Sequence, residues 1–485
     1  MRDKNSIKIA IIGAGPLGIA AGRELLQQGF THFTIFEKED APGGTWHMQT
    51  YPGLACDVWA HSYNYSFAPN PDWSSTFVNQ PEIEAYLQKC AKDFGLEPHL
   101  SCNRCIVAAE LQEDSRWLLR LDDGEEQLFD AVINAMGNQH TPVFPRFPGM
   151  DSFKGPSWHS AQYDHSVDLS GKRVTVIGSA AAAVQIVPEI APIAGHLTVI
   201  QRSPNWIVPR NNKRYSAFAK KLFRKVPPVL KTLQALQGTM MRFVHGAVIM
   251  DSKRMQMFEN MGLKFIEKAI DDPGLRKLVT PESRYGCKRP LVSDDFYPAL
   301  NRDNVTLVAS AAKSITEDAV VTEDGREIIS DVIIYCTGYR VMDFDRFEVV
   351  GKVGKKLADE MKKGPYAYKG ILVPDFPNYF LGMGPNAVVL SVSYFKSAEA
   401  NVKCIVDLLS VMCERGIKSI DVKPERHKAY NAWVVESCKQ FSWGSGTCKN
   451  YYRDEDGHAP FLYPGDYKSF LAMRADCTID QFVTR

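Results

Sequence analysis

The chain reads as an α/β protein with two Rossmann-like dinucleotide-binding domains, the first discontinuous and the second carrying a helical insert. Three observations point there. Gly13-Ala14-Gly15-Pro16-Leu17-Gly18 follows the apolar run at 7–12, and Gly178-Ser179-Ala180-Ala181-Ala182-Ala183 follows 174–177. Twenty-four residues beyond the first glycine of each turn, after a second apolar run, stands a charge of opposite sign: Glu37 and Arg202. Finally, Asp130-Ala-Val-Ile-Asn-Ala-Met-Gly137 and Asp331-Val-Ile-Ile-Tyr-Cys-Thr-Gly338 repeat one another as acid, apolar strand, small residue and glycine. Such repetition indicates a duplicated architecture.

The chemistry of each turn follows from its residues. A strand that runs through glycines into a helix lets the backbone approach a pyrophosphate seated on the helix N-terminus. An acid closing the second strand suits ribose hydroxyls, whereas an arginine there suits a 2′-phosphate. The first turn, with Gly13, Gly15, Gly18, a helix over 17–28 and Glu37, is expected to hold FAD. The second, with Gly178, Ser179, Ala180 and Arg202, is expected to take NADPH. Ala180 and Ala183 stand where glycines are usual, and Ala180 sets a methyl group where the pyrophosphate comes closest. That leaves open a binding protein that keeps FAD but cannot dock NADPH.

Residues 1–145 form the expected first part of the FAD domain. The proline-rich stretch 141–149 is a linker, and 150–338 is the NADP domain with its insert at 213–282. Residues 339–485 return to the FAD domain, through a strand and turn at 378–386 and a helix over 397–415. The insert is rich in Lys, Met and Leu, with Pro227-Pro228 as a break. Its basic stretch 213–231 could lie on a membrane surface. The preferred expectation is helices packed over a substrate cavity, with Phe218, Leu222 and Val226 as a core-facing stripe and the basic face solvated.

Bulk properties exclude several classes. Lys and Arg number 57 against 56 Asp and Glu, a net charge of +1, so no nucleic-acid partner is expected. The apolar runs are too interrupted to span a bilayer, and residues 1–6 are a polar lead-in without a signal peptide. Eleven cysteines without paired spacing fit a reducing compartment, and a cytoplasmic location is expected. Cys102-Asn103-Arg104-Cys105 has the spacing of a redox dithiol or half a zinc site. No second CxxC completes a metal site, so no metal is expected. The segments 106–110 and 117–121 read as a strand pair, with these cysteines at its edge. A disulfide reductase remains the competing reading of that pair.

Further segments together resemble type I Baeyer–Villiger monooxygenases across nearly the whole chain. They include Gly43-Gly44-Thr45-Trp46, Tyr51-Pro52-Gly53-Leu54-Ala55-Cys56-Asp57-Val58 and Gln201-Arg202-Ser203-Pro204-Asn205-Trp206. Phe153-x-Gly155-xxx-His159-xxx-Tyr163-Asp164 is similar to that family's fingerprint, with Tyr163 in place of tryptophan. Cys287-Lys288-Arg289-Pro290 and Trp443-xx-Gly446-x-Cys448-xx-Tyr451-Tyr452 also match. The resemblance implies FAD, NADPH and O2, with reduced flavin adding oxygen at C4a and the resulting peroxide converting a ketone to an ester or lactone. It implies Arg289 as the charge beside the peroxide, oriented by Asp57. Gly44, Thr45, Trp46, Asp57 and Tyr63 would line FAD; Gln185, Ser203 and Lys288 would join Arg202 at NADPH. It also implies that His159 joins the domains. Tyr163, and Val388 to Ser393 in place of the family's His-Asn-Ser stretch, leave N- or S-oxygenation of an amine or sulfide as the alternative. Oligomeric state is not legible.

Overall fold

The computed structural model describes every residue except Met1, Pro365, 446–449, Tyr451 and 454–456. Two five-stranded parallel sheets dominate it. The first runs in the order Tyr379–Leu381, Ala131–Asn134, Ile9–Ile12 (β1), Phe33–Phe36 (β2), Leu100–Ser101. The second runs Ser157–His159, Val332–Tyr335, Arg173–Ile177 (β3), His196–Ile200 (β4), Val305–Val308. The two repeated closing segments thus hold the same place, each beside the first strand of its sheet. β1 is buried along its whole length, as is usual for a parallel strand covered on both faces.

The outermost strand of each sheet has a different origin. In the first sheet it is the chain's return at Tyr379–Leu381, as the strand-and-turn pattern predicts. In the second it is Ser157–His159, part of the fingerprint segment, which precedes the sheet's own first strand.

Pro16–Gln27 (α1) follows β1, and Ala181–Ile190 (α2) follows β3. Both turns start on a glycine with positive φ, Gly13 at 103° and Gly178 at 117°. A Cβ on Gly13 would lie 3.0 Å from the Ala135 carbonyl oxygen, and one on Gly178 would lie 2.4 Å from that of Cys336. Each glycine therefore lets its turn nestle against the end of the neighbouring closing strand.

The two chain crossings between the sheets meet. Thr141–Pro142 pairs antiparallel with Tyr339–Arg340, and Val143 N–H donates to the Gly338 carbonyl at 2.9 Å. The expected pair Ile106–Leu111 and Trp117–Leu121 is antiparallel, extended antiparallel by Glu126–Phe129 and in parallel by Glu348–Val350.

The insert folds as Ala217–Lys225 (α3), Pro227–His245 (α4), Lys253–Ala269 and Pro273–Val279. Pro227 opens α4 at a position where its missing N–H costs nothing. The insert bridges the two units: Arg224 pairs with Asp72 at 2.7 Å, and Ser442 N–H donates to the Val248 carbonyl at 2.9 Å. The expected apolar stripe is corrected here. Phe218 is 75% exposed and Val226 39% exposed, whereas Phe223 turns inward against His61 and Tyr215. Helix α3 ends at Lys225, so Val226 lies beyond it as its cap. Tyr394–Arg415 (α5) packs along α1 through a nearly continuous buried face. Among the described residues, no helix is long and apolar enough to cross a membrane.

Candidate active site

The first turn makes a closed cradle. Gly15 caps α1, and a Cβ on Gly18 would lie 1.9 Å from the Gly13 carbonyl oxygen, so only hydrogen allows this helix to sit so close to its own turn. Gly43 N–H donates to the Ala14 carbonyl at 3.1 Å, which brings Gly44 across the turn. A Cβ on Gly44 would meet Gly15 Cα at 2.8 Å. Backbone therefore faces backbone over a slot that any side chain would fill. Glu37 is buried, and its carboxylate accepts from Ala14 N–H at 2.7 Å and Glu39 N–H at 3.1 Å. A carboxylate offers about four acceptor positions, so capacity for ribose hydroxyls remains. The glycine cradle and the buried acid fit FAD.

Thr45 begins the short helix Thr45–Met48. Trp46 donates its indole N–H to the Tyr63 hydroxyl at 3.0 Å, with the rings edge-on at 5.7 Å. Tyr63 also stands edge-on against Phe395 in the first turn of α5. Burial, first, and the neighbouring Cys56 and Asp57 hold the Tyr63 hydroxyl well above its ordinary pKa. Asp57 thus lies within electrostatic reach of this aromatic pair.

The second turn is built on similar backbone but opens outward. Ala180 caps α2 at φ −92°, so its methyl needs no left-handed backbone, and it is exposed. Ser179 is buried, and its carbonyl accepts from the Asn205 side chain at 2.9 Å. Arg202 is exposed at the end of β4. Lys288 donates to the Ser203 hydroxyl at 2.5 Å and to the Pro204 carbonyl at 3.3 Å. Burial, and secondarily the charge of Arg202, push the Lys288 pKa down. Two cations and a hydroxyl held together, one cation destabilised by the other, fit a phosphate dianion. Gln185 lies on α2, where it accepts from the Tyr51 hydroxyl at 3.0 Å and donates to the Ala55 carbonyl at 2.9 Å. It ties the second unit to the loop that carries Asp57.

Between the two nucleotide sites runs Lys288-Arg289. Lys288 turns to Ser203, while Arg289 turns to Asp57, its Nη2 at 2.5 Å from the carboxylate. Both partners are partly buried, 35% and 25% exposed at the side chain. The preceding residues Tyr285 to Cys287 are buried; Cys287 is disulfide-bonded. Gly286, at φ 78°, fits against Val248 and Ser442 with no room for a Cβ. The insert thereby braces the segment from behind.

Other sequence candidates fall elsewhere. His159 ends the outer strand of the second sheet and packs between Phe144 and Tyr339, on the two crossings. Burial lowers its pKa to about 4, and its Nδ1 accepts from Ala161 N–H, so it is neutral at neutral pH and sits at the joint. Tyr163 packs edge-on against Trp158 at 5.5 Å. Cys102 and Cys105 are free thiols in the loop between Leu100–Ser101 and Ile106–Leu111. Burial raises both pKa values, and Glu37 raises that of Cys102 further, which is the opposite of redox activation. Gly446, Cys448 and Tyr451 lie outside the described residues. Among the described residues no cluster could hold a metal ion.

The sequence reading missed Tyr51, the partner of Gln185, and Arg346. The latter lines a cavity with Asn134, Gly137, Met383 and Gly384 where the first sheet ends. Its Nε is buried without a partner, and burial lowers its pKa to about 10. A buried cation at the carboxyl ends of parallel strands is placed where such sheets receive ligands. No local motif marks Arg346; its only signal is burial, visible once the chain is folded.

A two-nucleotide architecture with a charged pair between the sites is the framework of a flavin-dependent oxygenating enzyme. Residues 6–361 match the family model described as flavin-binding monooxygenase-like, and the chain belongs to this family. A Baeyer–Villiger monooxygenase of Pseudomonas aeruginosa is 37% identical over 474 residues, covering 96% of this chain and 89% of the relative. One of Streptomyces coelicolor is 36% identical over 467 residues, covering 96% and 90%. The solved cyclohexanone monooxygenase of Rhodococcus sp. Phi1 bound to NADP+ has a TM-score of 0.87 at 26% identity, covering 99% of both chains.

Proposed function

We propose that this chain is an NADPH- and O2-dependent FAD monooxygenase that converts a ketone to an ester or lactone, with Arg289 and Asp57 at its catalytic centre. The observation that carries the reading is the Lys288-Arg289 dipeptide, which joins the cluster at Ser203 to Asp57, itself within electrostatic reach of Tyr63. When bound, FAD supplies the oxygen-activating chemistry and NADPH the hydride. The protein's own part is electrostatic and positional. A guanidinium is a charged planar fork, so Arg289 would stabilise the negative charge that develops when a ketone carbonyl is attacked. Asp57 fixes the direction of that fork. Lys288, Arg202 and Ser203 bind the 2′-phosphate, and Glu37 binds the flavin's ribose. Trp46 and Tyr63 would wall the flavin side, and Arg346, in the cavity where the first sheet ends, would offer FAD a positive charge.

The division into 1–145, 150–338 with its insert, and 339–485 is supported by the sheet memberships. Among the described residues nine cysteines are free, which favours a reducing, cytoplasmic setting, while the disulfide of Cys287 weighs against it. Tyr163 packs on Trp158 and lends no support to heteroatom oxygenation. The test is NADPH-driven turnover with a panel of cyclic, aryl and polycyclic ketones plus sulfides and amines, with products identified by mass. An ester or lactone one oxygen heavier than its ketone is expected. Oxygenation of sulfides or amines alone would overturn the reading.

A further inference from the structure

The insert presents a surface that no part of the oxygenation chemistry uses. Between residues 213 and 250 there are eight Lys and Arg and no Asp or Glu, in a chain whose net charge is only +1. Among the described residues only Arg224 of these eight has a carboxylate within ion-pair distance. The same two helices carry large apolar groups into solvent: Phe218 at 75% exposure, Leu236 at 60% and Met240 at 44%. Folding has not hidden them because each helix already buries another face. Helix α3 turns Phe223 inward, and α4 turns Leu230, Gln237 and Met241 inward.

Helical spacing groups the exposed residues. Phe218, Lys221 and Lys225, at i, i+3 and i+7, share one side of α3, and Leu236 and Met240, at i and i+4, share one side of α4. Lys231 and Arg242 are exposed on the same helix. Phe218, flanked on α3 by two lysines that have no carboxylate within ion-pair distance among the described residues, and the apolar pair on α4, whose cations Lys231 and Arg242 lie further round the helix, match an interface of anionic headgroups over acyl chains, where the apolar groups enter and the cations remain among the phosphates.

We propose that α3 and α4 seat this enzyme on the surface of an anionic lipid bilayer, as an interfacial attachment without a membrane span. Charge decides against a second copy as the occupant. A two-fold interface here would lay one cationic patch on its identical partner. The insert belongs to the second unit and touches the first at Asp72 and Ser442, so a bilayer bound there would hold the whole molecule in one orientation.

The test is vesicle co-sedimentation of the FAD-loaded enzyme, with phosphatidylcholine vesicles compared against phosphatidylcholine–phosphatidylglycerol vesicles. The enzyme should pellet with the anionic vesicles, at least about tenfold more strongly than with the neutral ones, and less so as salt rises. The combined variant Phe218→Ser, Leu236→Ser, Met240→Ser keeps every charge and should lose binding about tenfold or more. Lys221→Gln with Lys225→Gln and Lys231→Gln should remove the preference for anionic lipid. Both variants should keep full FAD content and NADPH oxidation in vesicle-free buffer. Failure of the parent to pellet, or equal pelleting with both vesicles, would overturn the proposal. So would an apolar variant that pellets like the parent, which would mean simple charge adsorption. A concentration-dependent dimer abolished by the apolar variant would assign the surface to a second copy instead.

Discussion

The two nucleotide sites share a plan and differ in their walls. Both start from a strand ending in a positive-φ glycine set against a neighbouring carbonyl. At the first, Gly44 crosses so near Gly15 that Gly44 cannot gain a side chain, and the partner acid Glu37 is buried. At the second, the corresponding Ala180 is exposed, Arg202 is exposed, and Lys288 holds a charge its surroundings disfavour. A ligand enclosed by backbone leaves only if the fold opens. One gripped by side chains at the surface exchanges freely. The comparison teaches that glycine count does not measure the quality of a dinucleotide turn. It reports how tightly the site closes, which separates a resident cofactor from one that comes and goes.

The largest effect should come from forcing the first turn to resemble the second. Gly18→Ala puts a methyl 1.9 Å from the Gly13 carbonyl oxygen, so strand and helix must part. Little or no flavin should co-purify, as judged by flavin absorbance per chain. The reverse change, Ala183→Gly, should leave the NADPH Michaelis constant within about threefold, because Ala183 already fits its buried place and loses one methyl there. A flavin-loaded Gly18→Ala protein would show that the closed cradle is not what retains FAD.

Arg289→Ala addresses the span between the sites. Flavin should remain, while product formation falls by about 10²–10³, the usual effect of removing a preorganised charge stabiliser. Lysine at 289 should rescue poorly, since a point charge lacks the planar fork. Residual NADPH consumption should end in hydrogen peroxide, measured by a peroxidase-coupled assay. Near-normal ester yield from Arg289→Ala would remove that residue from the mechanism.

Next comes Glu37→Ala, which leaves buried polar groups without a partner at roughly 1–3 kcal/mol. FAD affinity, measured by flavin fluorescence on dilution, should fall about ten- to hundredfold. Full retention would take Glu37 out of the site.

Smaller effects than these belong to the side chains of the open site. Arg202→Ala should raise the NADPH Michaelis constant by about tenfold and leave that for NADH unchanged, because only NADPH carries the extra phosphate. The pH dependence follows from Lys288. Its folded pKa lies below the usual lysine value, and only the protonated form attracts phosphate. NADPH affinity should therefore weaken as pH rises through that lowered pKa, earlier than an ordinary lysine would allow. In Lys288→Gln this alkaline limb should disappear. An identical limb for NADH would mean Lys288 does not contact the phosphate.

Legibility tracked distance along the chain. Glu37 and Arg202 were readable because strand, turn, helix and strand are contiguous, and their lengths fix the spacing. Asp57 and Arg289 are 232 residues apart, so no periodicity could join them; only resemblance to a family did so. Tyr51 stands in a recognisable motif that says nothing of its bond to Gln185, and Arg346 carries no local pattern at all. The stripe of Phe218, Leu222 and Val226 failed for a different reason. Period tells which residues share a helix face, but not whether that face meets protein or water. Phe223, a single residue on another side of α3, decided the matter by filling the gap at His61 and Tyr215.

The meeting of Thr141–Pro142 with Tyr339–Arg340 constrains how the enzyme can move between its tasks. Chain passes between the sheets at two points, and those points are zipped into one ribbon two residues wide, flanked by the uncharged ring of His159. Such a ribbon keeps its length because two covalent backbones run along it, held side by side by hydrogen bonds that lie across it. The two halves of the molecule thus share one short covalent link, and the insert's contacts at Asp72 and Ser442 join them at a second place.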